Sequence, residues 1–440
     1  MDRSIQEKIR QAGIVGAGGA GFPTYQKMAD GIDSVLINAV ECEPLLHTDY
    51  AILKLHLDEV VQGAKLLAEA LGAKRTLLCV KKGKAGLIGL EDGQSLSAGV
   101  FAKTLPDVYP MGDEIIMIHE ALGRTVPPGS LPSSVGSVVA NAETALNIWR
   151  ALVKSAPVSE KWLTIGGAVK KACVVKAPIG EKALDLLKSL GEGIPPGHVL
   201  IDGGPAMGKI VNVATATVSK TTKGLIVLPA DCSAAAIKRM DASRQVKRAL
   251  SACCQCTFCT DLCPRQLLGY PLRPHACIQS ASTSGMCMPE SILTASLCSG
   301  CNLCTLAACC QGVAPSIVIG QIRSELIKNG YSYHESKPAA PSSMRQYRMV
   351  PSSRFERLAG VSQFAVEAPF IGAAVNPGSV RLLLRQHLGQ ASVPIVEAGQ
   401  KVKRNQMIAE PADGLSVALH ASIGGVVAGI DEGGIDVSAE

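Results

Sequence analysis

The chain has 440 residues, 47% of them hydrophobic but only 3% aromatic, and a formal net charge of +6. That length exceeds one ordinary domain, and a mild charge with no long basic run or basic-aromatic weave argues against a nucleic-acid partner. No stretch reaches the roughly 18 apolar residues of a spanning helix, and the charged start MDRSIQEKIRQ lacks an apolar signal core, which predicts a soluble, cytoplasmic protein with no membrane span.

In chain order, Ile5 and Ile9 at i, i+4 predict a helix over 1–12. SVLINAV (34–40) and RTLLCV (75–80) read as buried strands. HLDEVVQGAKLLAEALG (56–72) reads as an amphipathic helix stopped by Gly72, and NAETALNIWRALVK (141–154) as another. This βα alternation predicts an α/β domain over 1–155. The strand candidates KWLTIGGAV, ACVVKAP, HVLIDGG and GLIVLP surround one helix, EKALDLLKSLG, and predict a small mixed α+β domain over 156–235. Residues 236–331 carry the cysteine clusters on short helices. The segment 332–364, rich in Ser, Pro and basic residues, reads as an exposed linker. Short strands and Gly turns over 365–440, with no cysteine, predict a fourth domain.

Sixteen cysteines, twelve of them between Cys253 and Cys310, mark 236–331 as a metal module of a reducing compartment and not a disulfide scaffold. Cys253, Cys256, Cys259 and Cys263 follow C-x2-C-x2-C-x3-C-P with Pro264, the ferredoxin run for a [4Fe–4S] cluster, whose fourth cysteine serves the neighbouring cluster. Zinc ribbons separate two C-x2-C pairs by a dozen or more residues, which these cassettes do not. Cys298, Cys301 and Cys304 repeat the x2, x2 spacing, so two clusters are predicted. Cluster 1 takes Cys253, Cys256, Cys259 and a later thiol; cluster 2 takes Cys298, Cys301, Cys304 and Cys263. The second cassette is irregular: Ala308 stands at the x3 position, and either Cys309 or Cys310 closes cluster 1. Cys254 is left out of register. Cys79 and Cys173 sit in strand-like runs and read as core residues.

GAGGAGFPTYQK (16–27) carries G-x-G-x-x-G at Gly16, Gly18 and Gly21. A dinucleotide turn must follow a strand and open a helix, whereas this loop follows a helix and runs into Phe22-Pro23. Spacing alone leaves a Rossmann turn and a structural glycine turn both open. The stretch resembles the flavin-binding loop of the FMN/NADH subunit of respiratory complex I and its relative RnfC. INAVECEP (37–44), YPMGDE (109–114) and NAETA (141–145) are similar to the other three flavin segments of that family, in the same order. The resemblance implies a Rossmann-like FMN/NADH domain. Gly16, Gly18, Lys27, Asn38, Glu41, Gly112, Asn141 and Thr144 would hold FMN, and Phe22, Glu43 and Glu114 would meet NADH. Ala17, Val40 and Asp113 depart from the family pattern, and Cys42 matches the RnfC branch.

Residues 161–210 resemble the soluble-ligand-binding β-grasp domain of the same families, with IDGGPAMG (201–208) similar to the RnfC loop. The tail resembles a biotinyl/lipoyl-type barrel-sandwich hybrid, but its central hairpin reads PADGLS, without an acceptor Lys, so no covalent prosthetic group is expected. With the barrel placed after paired ferredoxin cassettes, the domain order resembles the corrinoid reductases of propanediol-utilisation microcompartments. The resemblance implies electron flow from NADH through FMN and two [4Fe–4S] clusters to cobalamin. It also implies a corrinoid adenosyltransferase partner, microcompartment shell or lumen proteins, and a location in that compartment. An RnfC-type subunit with a protein acceptor, or a non-enzymatic carrier, are the rival readings.

Overall fold

Strand β1 (Ser34–Asn38) is central to the first sheet of the computed structural model, which describes residues 2–338, 340–373 and 377–440. It pairs in parallel with β2 (Arg75–Lys81) on one side and β6 (Ser137–Asn141) on the other. Beyond β2 lie β4 (Val100–Leu105), parallel, and β3 (Ser95–Ser97), antiparallel; β5 (Val108–Tyr109) stands apart. The near-continuous apolar runs of β1, β2 and β6 follow from cover on both faces. Val35, Ile37, Leu78 and Val80 pack under the helices Thr48–Leu71 and Ala142–Lys154. Leu36, Leu77, Cys79 and Val139 face the helix Glu114–Leu122 and, behind it, the cysteine module. The two long helices touch so closely at Gly63 that a Cβ there would stand 1.9 Å from the Ala145 carbonyl oxygen, so only glycine fits.

The helix predicted over 56–72 begins earlier, at Thr48, and bends at His56. Its first turn has no local side-chain cap. The Glu41 carboxylate supplies one instead, accepting from the amides of Asp49 (2.8 Å) and Tyr50 (3.3 Å). Gly72 ends the helix in the left-handed conformation, as expected.

The second sheet orders β10 (Lys209–Val211), β9 (His198–Asp202), β11 (Gly224–Pro229), β7 (Glu160–Gly167) and β8 (Cys173–Pro178). The helix Ala183–Ser189 closes a core of Leu163, Val175, Leu186 and Leu225 over it. Two assignments change here. First, the stretch 332–364 is not an exposed linker throughout: β12 (Val350–Pro351) pairs with β5, and Phe355 is fully buried with its ring stacked on Tyr109 at 3.9 Å. Isolated apolar anchors in a Ser/Pro/Arg background are lost when composition is averaged over the segment. Second, β13 (Phe370–Ala373), at the start of the predicted fourth domain, pairs in parallel with β8 at the edge of the second sheet. From Ser379 onward the tail forms a four-stranded and a three-stranded sheet packed around Leu382, Ile408, Val427 and Ile435.

The tail is latched to the first domain. Arg10 donates to the carbonyls of Ala412 (2.9 Å) and Ser416 (3.3 Å), Tyr25 donates to Gly414, and the Leu388 amide donates to Gly21. The PADGLS hairpin is therefore docked on the N-terminal helix. Lys220, from the second sheet's side, is buried at the same joint and donates to the carbonyls of Gly13 and Ala418, both at 2.8 Å. Burial pushes its ammonium down to about 7. An unfolded Lys keeps its proton to about pH 10.4, so between those values the unfolded chain binds more protons and stability rises with pH. Between pH 7 and 8.5 we expect stability to gain roughly 1–2 kcal/mol from this group, a rise missing in Lys220→Met. Urea melts of the two proteins at both pH values measure it, and identical slopes would refute it.

Candidate functional site

The four glycine- and asparagine-bearing segments meet where β1 and β6 end. Asn38 and Asn141 are register partners at the carboxyl ends of these parallel strands, the edge at which open α/β sheets bind ligands. The Asn141 amide donates to the Asn38 carbonyl at 3.2 Å, and the Asn38 amide donates to the Gly112 carbonyl at 2.9 Å. Lys27 reaches Glu114 at 2.6 Å and the Val139 carbonyl at 2.9 Å. Thr144 accepts from the Ala17 amide at 3.0 Å. Gly18 lies close enough that a Cβ would sit 3.8 Å from that of Asn141. The loop closes on itself through the Gly16 amide and the Phe22 carbonyl at 2.8 Å, and leads into a single 3-10 turn, Thr24–Lys27. Phe22 is half-buried at its end.

A flavin phosphate needs exposed, unengaged donors. Gly18, Gly19 and Ala20 are exposed residues whose amides have no hydrogen-bond partner among the described residues, and space is open where a Cβ of Gly19 would stand. That is the donor set an anion-binding backbone loop offers. Gly112 is required for another reason: its Cβ would meet the Cys42 sulfur at 2.9 Å. Burial pushes the Cys42 thiol up to about 12, so it stays protonated and unreactive at neutral pH.

Two acids of the second segment already accept backbone amides outside the loop, Glu41 from Asp49 and Tyr50. Burial, then the neighbouring Asp49, pushes Glu41 up to about 7. Glu43 accepts from the amides of Ala206 (2.9 Å) and Met207 (2.8 Å), inside the 201–208 loop. Gly204 is glycine because a Cβ would fall 2.1 Å from the Glu43 carboxylate. Beneath the site runs a charge network with no signal in the sequence, because its cations come from β7 and from the residue before β11. Lys161 pairs with Glu143, both almost wholly buried, and Lys223 pairs with Asp49 at 2.5 Å. Lys161 also donates to the Ala17 carbonyl, and the Trp162 amide to Glu143.

The cysteines form two nests. Cys263, Cys298, Cys301 and Cys304 line one cavity, with Pro264, Arg265 and Asn302. Cys263, Cys301 and Cys304 are buried, and burial first, then the neighbouring sulfurs, holds the Cys304 thiol far above its usual range. Bound iron would supply the positive charge that thiolates need there. This inner nest packs on the YPMGDE segment: the Tyr109 hydroxyl donates to the Cys301 carbonyl at 2.8 Å, and Arg265 pairs with Asp113 at 2.7 Å. Asn302 ties it to the Ala206 carbonyl at 2.7 Å.

The second nest gathers around Cys259, whose thiol burial, and then the adjacent Cys309, Cys253 and Cys256, push up to about 12. Cys310 lies at the surface beside this nest, its sulfur within 4.8 Å of those of Cys254 and Cys256. Two sets of four sulfurs fit the donor chemistry of iron–sulfur clusters. Cys79 and Cys173 are buried in β2 and β8.

Residues 9–150 match the Nuo51 FMN-binding domain, 252–314 the 4Fe-4S dicluster domain, and 363–438 the RnfC barrel sandwich hybrid domain. The chain is 37% identical over 436 residues to the cobalamin reductase PduS of Citrobacter freundii, covering 99% of this chain and 96% of that one. To the PduS of Salmonella typhimurium it is again 37% identical over 436 residues, covering 98% and 96%. The chain belongs to the PduS cobalamin reductase family. It is a multidomain α/β protein built from the three domain types of those matches. A wider kinship stops short of full length: one component of the Na(+)-translocating ferredoxin:NAD(+) oxidoreductase complex of Acetobacterium woodii is 31% identical over 60% of this PduS-family chain and 58% of its own.

Proposed function

We propose that this chain is an NADH-dependent flavo-iron–sulfur cobalamin reductase. The observation that carries the relay is the Tyr109–Cys301 contact, which seats the inner cysteine nest directly on a flavin segment; cobalamin as acceptor rests on the family relatives. Gly16, Gly18, Lys27, Asn38, Glu41, Gly112, Asn141 and Thr144 hold FMN, with the free loop amides toward its phosphate. Phe22 and Glu114 flank the open side, where NADH enters. Glu43 joins them while still held by Ala206 and Met207, because a carboxylate has about four lone-pair sites and these amides use two. Cys253, Cys256, Cys259 and Cys309 hold one cluster, and Cys263, Cys298, Cys301 and Cys304 the other. Bound there, FMN would supply the exchange between a two-electron hydride and single electrons, and the clusters would supply one-electron transfer toward cobalt.

The finer architecture is part of this reading. The first domain, 1–155, is Rossmann-like; 156–235 is a β-grasp domain, extended by β13; 236–331 is the two-cluster module; and the barrel-sandwich hybrid follows 332–364. No helix among the described residues is long and apolar enough to cross a membrane. A corrinoid adenosyltransferase is the proposed partner, since a doubly reduced cobalamin is oxidised if released, and the proposed location is a microcompartment with its shell or lumen proteins. The test is anaerobic reconstitution with FMN, iron and sulfide, followed by addition of NADH and hydroxocobalamin. Bleaching of the cob(III)alamin spectrum without any added carrier is expected. Rapid reduction of artificial dyes with an unchanged corrinoid spectrum would instead mark a protein acceptor.

A further inference from the structure

Two thiols beside the outer nest remain without a task. Cys254 and Cys310 are both exposed, and their sulfurs lie 4.0 Å apart although 56 residues separate them in sequence. Each directly follows a residue assigned above to the same cluster, Cys253 in one cassette and Cys309 in the other. The geometry points to a reversible redox dithiol: Cys254 and Cys310 form a disulfide that straps the two cassettes together across the exposed side of the outer nest.

Side-chain rotation of two surface residues must close 4.0 Å to the disulfide length of about 2.05 Å. Cys256 is near both, but its sulfur is committed to iron in the loaded protein, which leaves Cys254 and Cys310 as the free pair. The oxidant is a low-molecular-weight disulfide, RSSR. One protein thiolate attacks it, forming a mixed disulfide and releasing RS⁻; the second thiolate then displaces the other RS⁻. The two protons lost by the cysteines appear on the two RSH released, so two thiols are oxidised and one RSSR is reduced. Because each strapped residue adjoins a ligand, the bond would hold both ligand-bearing chain segments in place when reductant runs short.

The proposal rests on Cys309, and not Cys310, as ligand, and the experiment separates the two ideas. Anaerobically reconstituted holoprotein is treated with oxidised glutathione, its remaining thiols are blocked with N-ethylmaleimide, and the digest is mapped by mass spectrometry. One dithiothreitol-sensitive peptide pair joining Cys254 and Cys310 is expected. It should be absent from Cys254→Ser and Cys310→Ser, with iron content and both cluster EPR signals retained in each variant. Blocked or singly glutathionylated Cys254 and Cys310, or a Cys254–Cys256 bond, would overturn the dithiol. Loss of the outer cluster's EPR signal in Cys310→Ser would also overturn it, by making Cys310 the ligand. Failure of corrinoid reduction leaves the peptide map unchanged, so it bears on the proposed function alone.

Discussion

Cys263→Ser will abolish or alter the EPR signal of the cluster held by Cys298, Cys301 and Cys304, and leave the other signal in place. Cys256→Ser will do the reverse. Cys263 ends the first cassette in sequence, yet it lines the cavity of the second, because Pro264 starts a new helical turn at that point and carries the chain away from Cys259. Removing one thiolate can convert a cubane to a three-iron form, so the spectrum, not the iron count, is the readout. Each variant should keep one native signal of two. If both substitutions damage the same cluster, each cassette closes its own site and the exchange of ligands between them is refuted.

The second large effect lies below the flavin segments. Lys161→Met should destabilise the joint between the first and second domains by about 3 kcal/mol, because it leaves the Glu143 carboxylate, which almost no water reaches, with only the Trp162 amide and the more distant Lys223 at 3.9 Å. Adding Glu143→Leu should recover most of that loss, since a buried ion pair replaced as a pair by apolar groups is often close to neutral. Trp162, on β7, sits at this joint, its amide donating to Glu143, while Trp149 bonds Gln62 inside the first domain, so the urea midpoint of their fluorescence reports the joint and the domain beside it. A double variant as weak as Lys161→Met would show that the stranded carboxylate is not the cause. The same helix presents Asn141 and Thr144 to the loop, so Lys161→Met should also loosen FMN.

What could be read from sequence was what local chemistry encodes. Continuous apolar runs marked β1 and β2, Gly72 marked a helix end, and cysteine spacing marked both cassettes, because each signal lies within a few residues of the feature it specifies. The start of the helix at Thr48 was not legible, since its cap is the remote Glu41. Phe355 was not, because one aromatic in a polar stretch has no periodicity, and its partner Tyr109 lies 246 positions away. Glu43 read as a nucleotide contact, and nothing near it foretold the Ala206 and Met207 amides. The choice between Cys309 and Cys310 depends on which way a turn after a short π-helical segment points, which spacing does not encode.

The latch between Arg10 and the PADGLS hairpin spans sequence separations of 402 and 406 residues. During synthesis the N-terminal helix and glycine loop emerge early, but their supporting carbonyls and the Leu388 amide are among the later parts made. Contacts of such range close slowly, because chain entropy must be lost before they form. A nascent chain therefore holds its cofactor loop by Thr144 and the loop's own Gly16–Phe22 closure through most of translation, and gains the Leu388 contact only near its end.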